Sequence, residues 1–327
     1  MKLGILGTGM IVKDLLTTIH EFHFEKMAIL GTSQTQKETE NLAKEYQIDR
    51  VFYDYEELLN SDIDTIYVAL PNHLHFAFAK KALLYNKHVI IEKPITSHAL
   101  ELEELMDIAA QHHVMIFEAM NIHYLPAFQS LKENIHKVGN IKIVNFNYSQ
   151  YSSRYGAFLE GHILPAFDYH KSGGALMDLN VYNLNAIMGL FGDPQDNRYF
   201  ANVEKGIDTS GMMVLDYGKF KAVSIGAKDC KAPVISTIQG DQGVIVIEKP
   251  VNQMIAYKFI DNQGQETLYE DNTNKHRLYY EFKEFIRMIE ENDTVKQQEM
   301  LNLSLQISKV MEKGRKQEGV VFDNDRS

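Results

Sequence analysis

Five short apolar runs recur through the first 120 residues, each a nearly unbroken string of strand formers: "KLGIL" (2–6), "MAILGT" (27–32), "TIYVAL" (65–70), "HVIIE" (88–92) and "VMIFEA" (114–119). A strand with one face in water alternates apolar and polar residues, whereas a continuous apolar strand needs cover on both faces. The cover is written between the runs. "KETENLAKEYQI", "AFAKKALLYN" and "ALELEELMDIAAQHH" place apolar residues three or four apart on otherwise polar segments. Strand–helix repetition of this kind makes the sheet parallel, with helices on both sides. Residues 1–120 therefore read as an α/β domain with a doubly wound parallel sheet, the Rossmann arrangement.

The pattern changes after residue 120. "YLPAFQSLKENIHKV" reads as a helix, and "IKIVNFNYSQYSS" has the period-2 alternation of a strand. Short strands separated by the turn signals "LDYGKF", "QGDQG" and "IDNQGQ" fill about 199–270, and "LYYEFKEFIRMIEEN" and "MLNLSLQISKVMEKGRK" close the chain as amphipathic helices. Residues 121–327 are expected to form a C-terminal α/β domain on a large, mostly antiparallel open sheet.

Composition removes several classes of function. With 33 basic and 44 acidic side chains the net charge is −11, which argues against a nucleic-acid surface or attachment to anionic lipid. Cys230 is the single cysteine, so neither an intrachain disulfide nor a cysteine zinc site is available. The 13 histidines show no metal-ligand spacing with the carboxylates, and no metal is expected. No apolar run approaches the ~18 residues that span a bilayer, and the first strand is too short and glycine-rich for a signal peptide. A cytoplasmic protein is expected.

Gly7-Thr8-Gly9 follows the first strand directly, with Met10 and Ile11 opening the next helix. In a dinucleotide-binding turn the first glycine permits the bend and the second lets backbone approach a pyrophosphate; the third glycine position holds Val12 here. The ribose-reading position, about 20 residues on, falls in Thr32-Ser33-Gln34-Thr35. It offers neither a carboxylate for a 2′-hydroxyl nor an arginine for a 2′-phosphate, and Lys37 is the nearest cation. NAD and NADP both stay open, with Ser33 and Gln34 as adenosine-side candidates. Ligands of open parallel sheets lie outside the strands' carboxyl ends. There the chain carries Leu70, Pro71, Asn72 and His75, then Glu92-Lys93-Pro94, then Glu118, all candidate cofactor contacts.

In order and spacing, "GTG", "PNHLH", "HVIIEKP", "FEAM" and "GGALMDLNVYNLN" resemble the glucose–fructose oxidoreductase/inositol dehydrogenase/MocA family over essentially the whole chain. The tyrosine at 182 is similar to the dihydrodiol dehydrogenase branch. The resemblance implies NAD(P)-dependent hydride transfer to or from a sugar, cyclic polyol or diol, with Lys93 beside nicotinamide and substrate and a cis Lys93–Pro94 peptide. It also implies a homodimer or homotetramer through the C-terminal sheet. A nicotinamide-retaining glycosidase and a non-catalytic dinucleotide sensor are the alternatives within the same fold.

Asp178 and Tyr182 stand four apart, on one face of an ordinary helix, with Asn185 a turn further on. The expected roles are Tyr182 as general acid/base, Lys93 as its electrostatic partner and substrate ligand, and Asp178 as the group orienting substrate or lysine. His123, Arg154 and His170 are further candidates for the substrate side.

Overall fold

The computed structural model describes residues 1–326, which divide into two compact units. The first comprises Met1–Ala119 and Leu278–Leu305; the second comprises Met120–Arg277 and the residues from Gln306 on. A single cut at 120 therefore does not describe the chain, because 28 residues near its C-terminal end return to the first unit.

The first unit is built on a six-stranded parallel sheet: β1 (Lys2–Leu6), β2 (Lys26–Leu30), β3 (Arg50–Phe52), β4 (Thr65–Val68), β5 (His88–Glu92) and β6 (Ile116–Ala119), in the order β3-β2-β1-β4-β5-β6. β1 pairs with both β2 and β4, so the strand order reverses at the glycine turn. That reversal opens the crevice where such sheets take ligands. Alternate residues divide between the faces. Ile66, Val68, Val89, Ile91 and Ile116 pack with Leu102 and Leu105 of helix Ala99–Gln111. Tyr67 and Phe117 point the other way, onto Phe282 and Phe285 of helix Arg277–Glu290. The sheet's need for cover on both faces is thus what draws residues 278–305 back to it.

The second unit holds an eight-stranded sheet: β7 (Ile141–Ser149), β8 (Asp196–Glu204), β9 (Ile207–Asp216), β10 (Lys221–Ala227), β11 (Ser236–Gly240), β12 (Gly243–Ile247), β13 (Ala256–Asp261) and β14 (Glu266–Glu270). Its order is β14-β13-β12-β11-β7-β10-β9-β8, antiparallel throughout except for the β7–β10 pair. Val144, Phe146 and Tyr148 of β7, with Ala222 and Ser224 of β10, face inward under helix Val181–Phe191. Gly226 lets that cover approach closely, since a Cβ there would meet the Asn180 side chain at 2.7 Å. On the opposite face Ile143, Phe200, Met212 and Leu268 are exposed.

Candidate active site

In the first unit the turn after β1 has the shape its glycines suggest. Gly7 sits at φ +102°, donates its N–H to the Leu30 carbonyl at 3.1 Å, and has no room for a Cβ, which would lie 2.9 Å from the Ala69 oxygen. Gly9 is the reverse case. It opens helix Met10–Leu16 in an extended conformation, and a Cβ there would meet nothing within 4 Å. The backbone at Gly9 is bare toward open space, as close approach of a pyrophosphate requires. Val12 is fully buried, Ile11 partly so, and Met10 exposed.

Thr8 is buried and donates its hydroxyl to Glu38 at 3.0 Å, and Lys13 forms an ion pair with the same carboxylate. Lys13, and then Thr8, hold the Glu38 carboxyl below its ordinary range. Beside them a cavity of about 840 Å³ is lined by Met10, Lys13, Gln34, Thr35, Lys37 and Glu38. Ser33 and Gln34 are exposed, and the Thr35 hydroxyl accepts the Thr32 N–H at 2.9 Å, which fixes the chain leaving β2.

The ends of β4, β5 and β6 are tied to one another. His75 is fully buried, with Nε2 2.7 Å from the Leu70 oxygen and Nδ1 3.0 Å from the Pro94 oxygen. Burial pushes its pKa down to about 4. The expectation that His75 faces the dinucleotide is therefore corrected: its ring is buried between two backbone carbonyls, to one of which its single N–H donates. Pro71 is exposed and Asn72 half-buried, opening the turn Asn72–Leu74 that leads into the helix beginning at His75.

Lys93 is half-buried, and its peptide to Pro94 is cis. Its flanking carboxylates brace this turn. Glu92 accepts the Tyr67 hydroxyl, and Glu118 accepts the Ile95 N–H at 3.0 Å. Burial raises the Glu118 pKa, while hydrogen bonds from Ser304 and Ile95 oppose that rise.

In the second unit, the segment read as one helix begins with a π-helical turn, Leu176–Asn180, before α-helix Val181–Phe191. Gly174 makes its entry possible, at φ +104° with Asp208 packed where a Cβ would go. Asp208 accepts the Leu176 N–H at 2.7 Å and the Tyr199 hydroxyl at 2.9 Å, and burial lifts its pKa to about 6.

Asp178 lies in the π turn, and its carboxylate is 2.6 Å from Nζ of Lys228. Tyr182 is 8% exposed, its ring beside that of Tyr148. The asparagines along this helix have different partners. Asn180 donates to the Ser224 carbonyl at 3.1 Å, Asn183 to that of Ile225 at 2.9 Å, and Asn185 pairs with His123 Nε2 at 2.9 Å. Asn185 and His123 are thus buried packing partners, which corrects the substrate-side expectation for His123. Arg154 is exposed at the start of helix Tyr155–Leu159. His170 is half-exposed and bonded to Asp323 at 2.7 Å, in a surface pair rather than a pocket.

Lys228 escaped the sequence reading, although a signal for it exists. Along β10, Ala222, Ser224 and Gly226 take the inward alternation, and the next inward position is Lys228.

The model of the oxidoreductase family with an NAD-binding Rossmann fold matches residues 1–120. The chain is 33% identical to scyllo-inositol 2-dehydrogenase (NADP(+)) IolU of Bacillus subtilis, over 100% of both proteins. It belongs to the glucose–fructose oxidoreductase/inositol dehydrogenase/MocA family. A trans-1,2-dihydrobenzene-1,2-diol dehydrogenase of Xenopus tropicalis is 26% identical over 75% of this chain and 74% of its own. In fold the chain is similar to the 3-ketoreductase KijD10 of Actinomadura kijaniata, solved with NADP and TDP-benzene (TM-score 0.82, 18% identity, 97% of each chain covered). As a member of this family the chain is an NAD(P)-dependent oxidoreductase, and the bare backbone at Gly9 and the left-handed Gly7 fit the dinucleotide it requires. Among the described residues no helix is long and apolar enough to cross a membrane, and no cluster of three or more His, Cys, Asp or Glu could hold a metal ion.

Proposed function

We propose that this enzyme interconverts a secondary alcohol of an uncharged cyclic polyol, of the inositol type, with its ketone, using NADP. The observation that carries the cofactor choice is the chain after β2. Where a carboxylate would bind a 2′-hydroxyl and repel a 2′-phosphate, Thr32, Ser33 and Gln34 offer hydroxyl and amide donors, with Lys37 following. The full-length similarity to an NADP-dependent inositol dehydrogenase supports the same reading of substrate and cofactor.

Bound dinucleotide supplies the hydride acceptor or donor; the chain's own residues handle the proton and the oxygen. In the alcohol direction Tyr182 takes the hydroxyl proton, and it returns that proton in the ketone direction. The Lys93 ammonium stabilises the negative charge that gathers on the reacting oxygen. Asp178 accepts hydrogen bonds from neighbouring substrate hydroxyls. Gly7, Thr8, Gly9, Met10 and Ile11 receive the pyrophosphate side, Ser33 and Gln34 the adenosine side, and Leu70, Pro71 and Asn72 the strand-end side. Glu92 and Glu118 shape the turn that presents Lys93. A second copy of the chain covers the apolar face of the eight-stranded sheet around Ile143, Phe200 and Met212.

The test is a panel of inositols, open-chain polyols, sugars and diols with each nicotinamide cofactor, followed by absorbance of the reduced form. Turnover of a polyol with NADP, with reduced cofactor released, supports the reading. Turnover confined to glycoside cleavage, or cofactor binding with no turnover at all, contradicts it.

A further inference from the structure

Lys228 stands just past the end of β10 with a side chain only 3% exposed. An ammonium out of water is costly unless it is paired and hydrogen-bonded. This one is 2.6 Å from the Asp178 carboxylate and 2.8 Å from the Ala166 carbonyl oxygen, and lies 4.7 Å above the Phe167 ring centre. Its backbone is pinned on both sides: its N–H donates to Thr209 and its carbonyl accepts from Ser152, each at 2.8 Å. Asp208 also feels the Lys228 charge, but its carboxylate accepts hydrogen bonds from the Leu176 N–H and the Tyr199 hydroxyl.

The pair is lopsided. Its cation is buried, while the Asp178 side chain is 38% exposed. Structural ion pairs of buried residues are often replaceable by apolar ones at no loss of stability, so packing alone gives little reason for a lysine here. A fixed ammonium behind a half-open carboxylate does have a use: it sets where the acceptor points.

Resting on the polyol reading above, we propose that Lys228 is a positioning residue that orients the Asp178 carboxylate as the hydrogen-bond acceptor for the hydroxyls of an uncharged substrate. With the pair electrically neutral, a phosphorylated or carboxylated substrate finds no surplus cation in it, and the open end of the pair is negative.

The experiment measures KM and kcat for the best polyol of the panel, with NADP saturating, and the NADP dissociation constant. It is run on wild type, Lys228→Met, Lys228→Arg, Asp178→Asn and the double variant Lys228→Met/Asp178→Asn. Lys228→Met is expected to raise KM about tenfold or more, with NADP affinity kept within about twofold and Lys228→Arg recovering most of the loss. The double variant should fall within about twofold of Asp178→Asn alone, because Lys228 acts through that carboxylate. If Lys228→Met does not accumulate as folded protein, the double variant, which buries no unpaired charge, carries the test. Polyol KM within about twofold of wild type in Lys228→Met, or a double variant about tenfold worse than Asp178→Asn, overturns the proposal. A wild type that turns over no polyol removes the functional reading and this inference together. An active wild type with an indifferent Lys228→Met removes the inference alone.

Discussion

His75 and Pro94 are joined across two strand ends: the imidazole Nδ1 lies 3.0 Å from the Pro94 carbonyl oxygen, while Nε2 of the same ring lies 2.7 Å from that of Leu70. The residue that fixes the exit from β5 is thereby held by one that leaves β4. Burial lowers the His75 pKa from 6.5 to about 4 in the folded chain. Between those values the unfolded chain binds a proton that the folded chain does not, so this stabilisation is complete above about pH 6.5 and is lost as pH falls toward 4. The integrated effect is on the order of 3 kcal/mol. His75→Gln should be less stable than wild type near neutrality, and the gap should narrow as pH falls. Denaturant midpoints of both proteins across that range check it; a constant gap contradicts it.

The two turn glycines should separate folding from binding. Gly9→Ala adds a Cβ into open space and keeps an ordinary φ, so its unfolding free energy should stay within about 0.5 kcal/mol of wild type. Its affinity for dinucleotide should nevertheless fall about tenfold or more, because the methyl occupies the line of approach of the pyrophosphate. Chemical denaturation and quenching of reduced-nicotinamide fluorescence measure the two quantities independently.

Gly174→Ala should fail in the opposite sense. The residue is held at φ +104° with Asp208 Oδ1 2.1 Å from the Cβ position, and Asp208 holds the start of the π turn. Left-handed backbone costs a side chain about 1–2 kcal/mol before any clash, so a loss of at least about 2 kcal/mol is expected, measured as a fall in the denaturant midpoint.

Cofactor choice should be movable at one residue. Ser33→Asp places a carboxylate where a 2′-hydroxyl is welcome and a 2′-phosphate is repelled, so the ratio of kcat/KM for NADP over NAD should drop about tenfold or more. Lys37→Ala should weaken NADP without changing NAD. Loss of both cofactors alike in either variant would locate the adenosine elsewhere.

Much of this architecture is legible in the chain because burial on two faces leaves continuous apolar strands. β1 and β5 fall at the residues their runs mark, and the glycine turn lies between β1 and its helix. β3 was not legible. Three residues, Arg50–Phe52, hold no period, and only pairing with β2 makes them a strand. The amphipathic pattern of Arg277–Glu290 shows that it needs an apolar partner, but not that the partner is the first sheet. For the site, motif spacing singles out Lys93, Asp178 and Tyr182 as candidates. It could not show that a π turn carries Asp178, that His75 and His123 are spent inside the fold, or that Lys228 stands behind Asp178. Those facts belong to strand register and hydrogen-bond geometry, which no residue spacing encodes.

The central claim is that Lys93 and Tyr182 serve one hydride-transfer reaction on a polyol. Steady-state oxidation of the best panel polyol by NADP, compared between wild type, Lys93→Met and Tyr182→Phe, tests it most directly. Both variants should bind NADP within about twofold of wild type and lose about 10²-fold or more in kcat. Wild-type turnover in Tyr182→Phe, or in Lys93→Met with cofactor bound, would contradict the account.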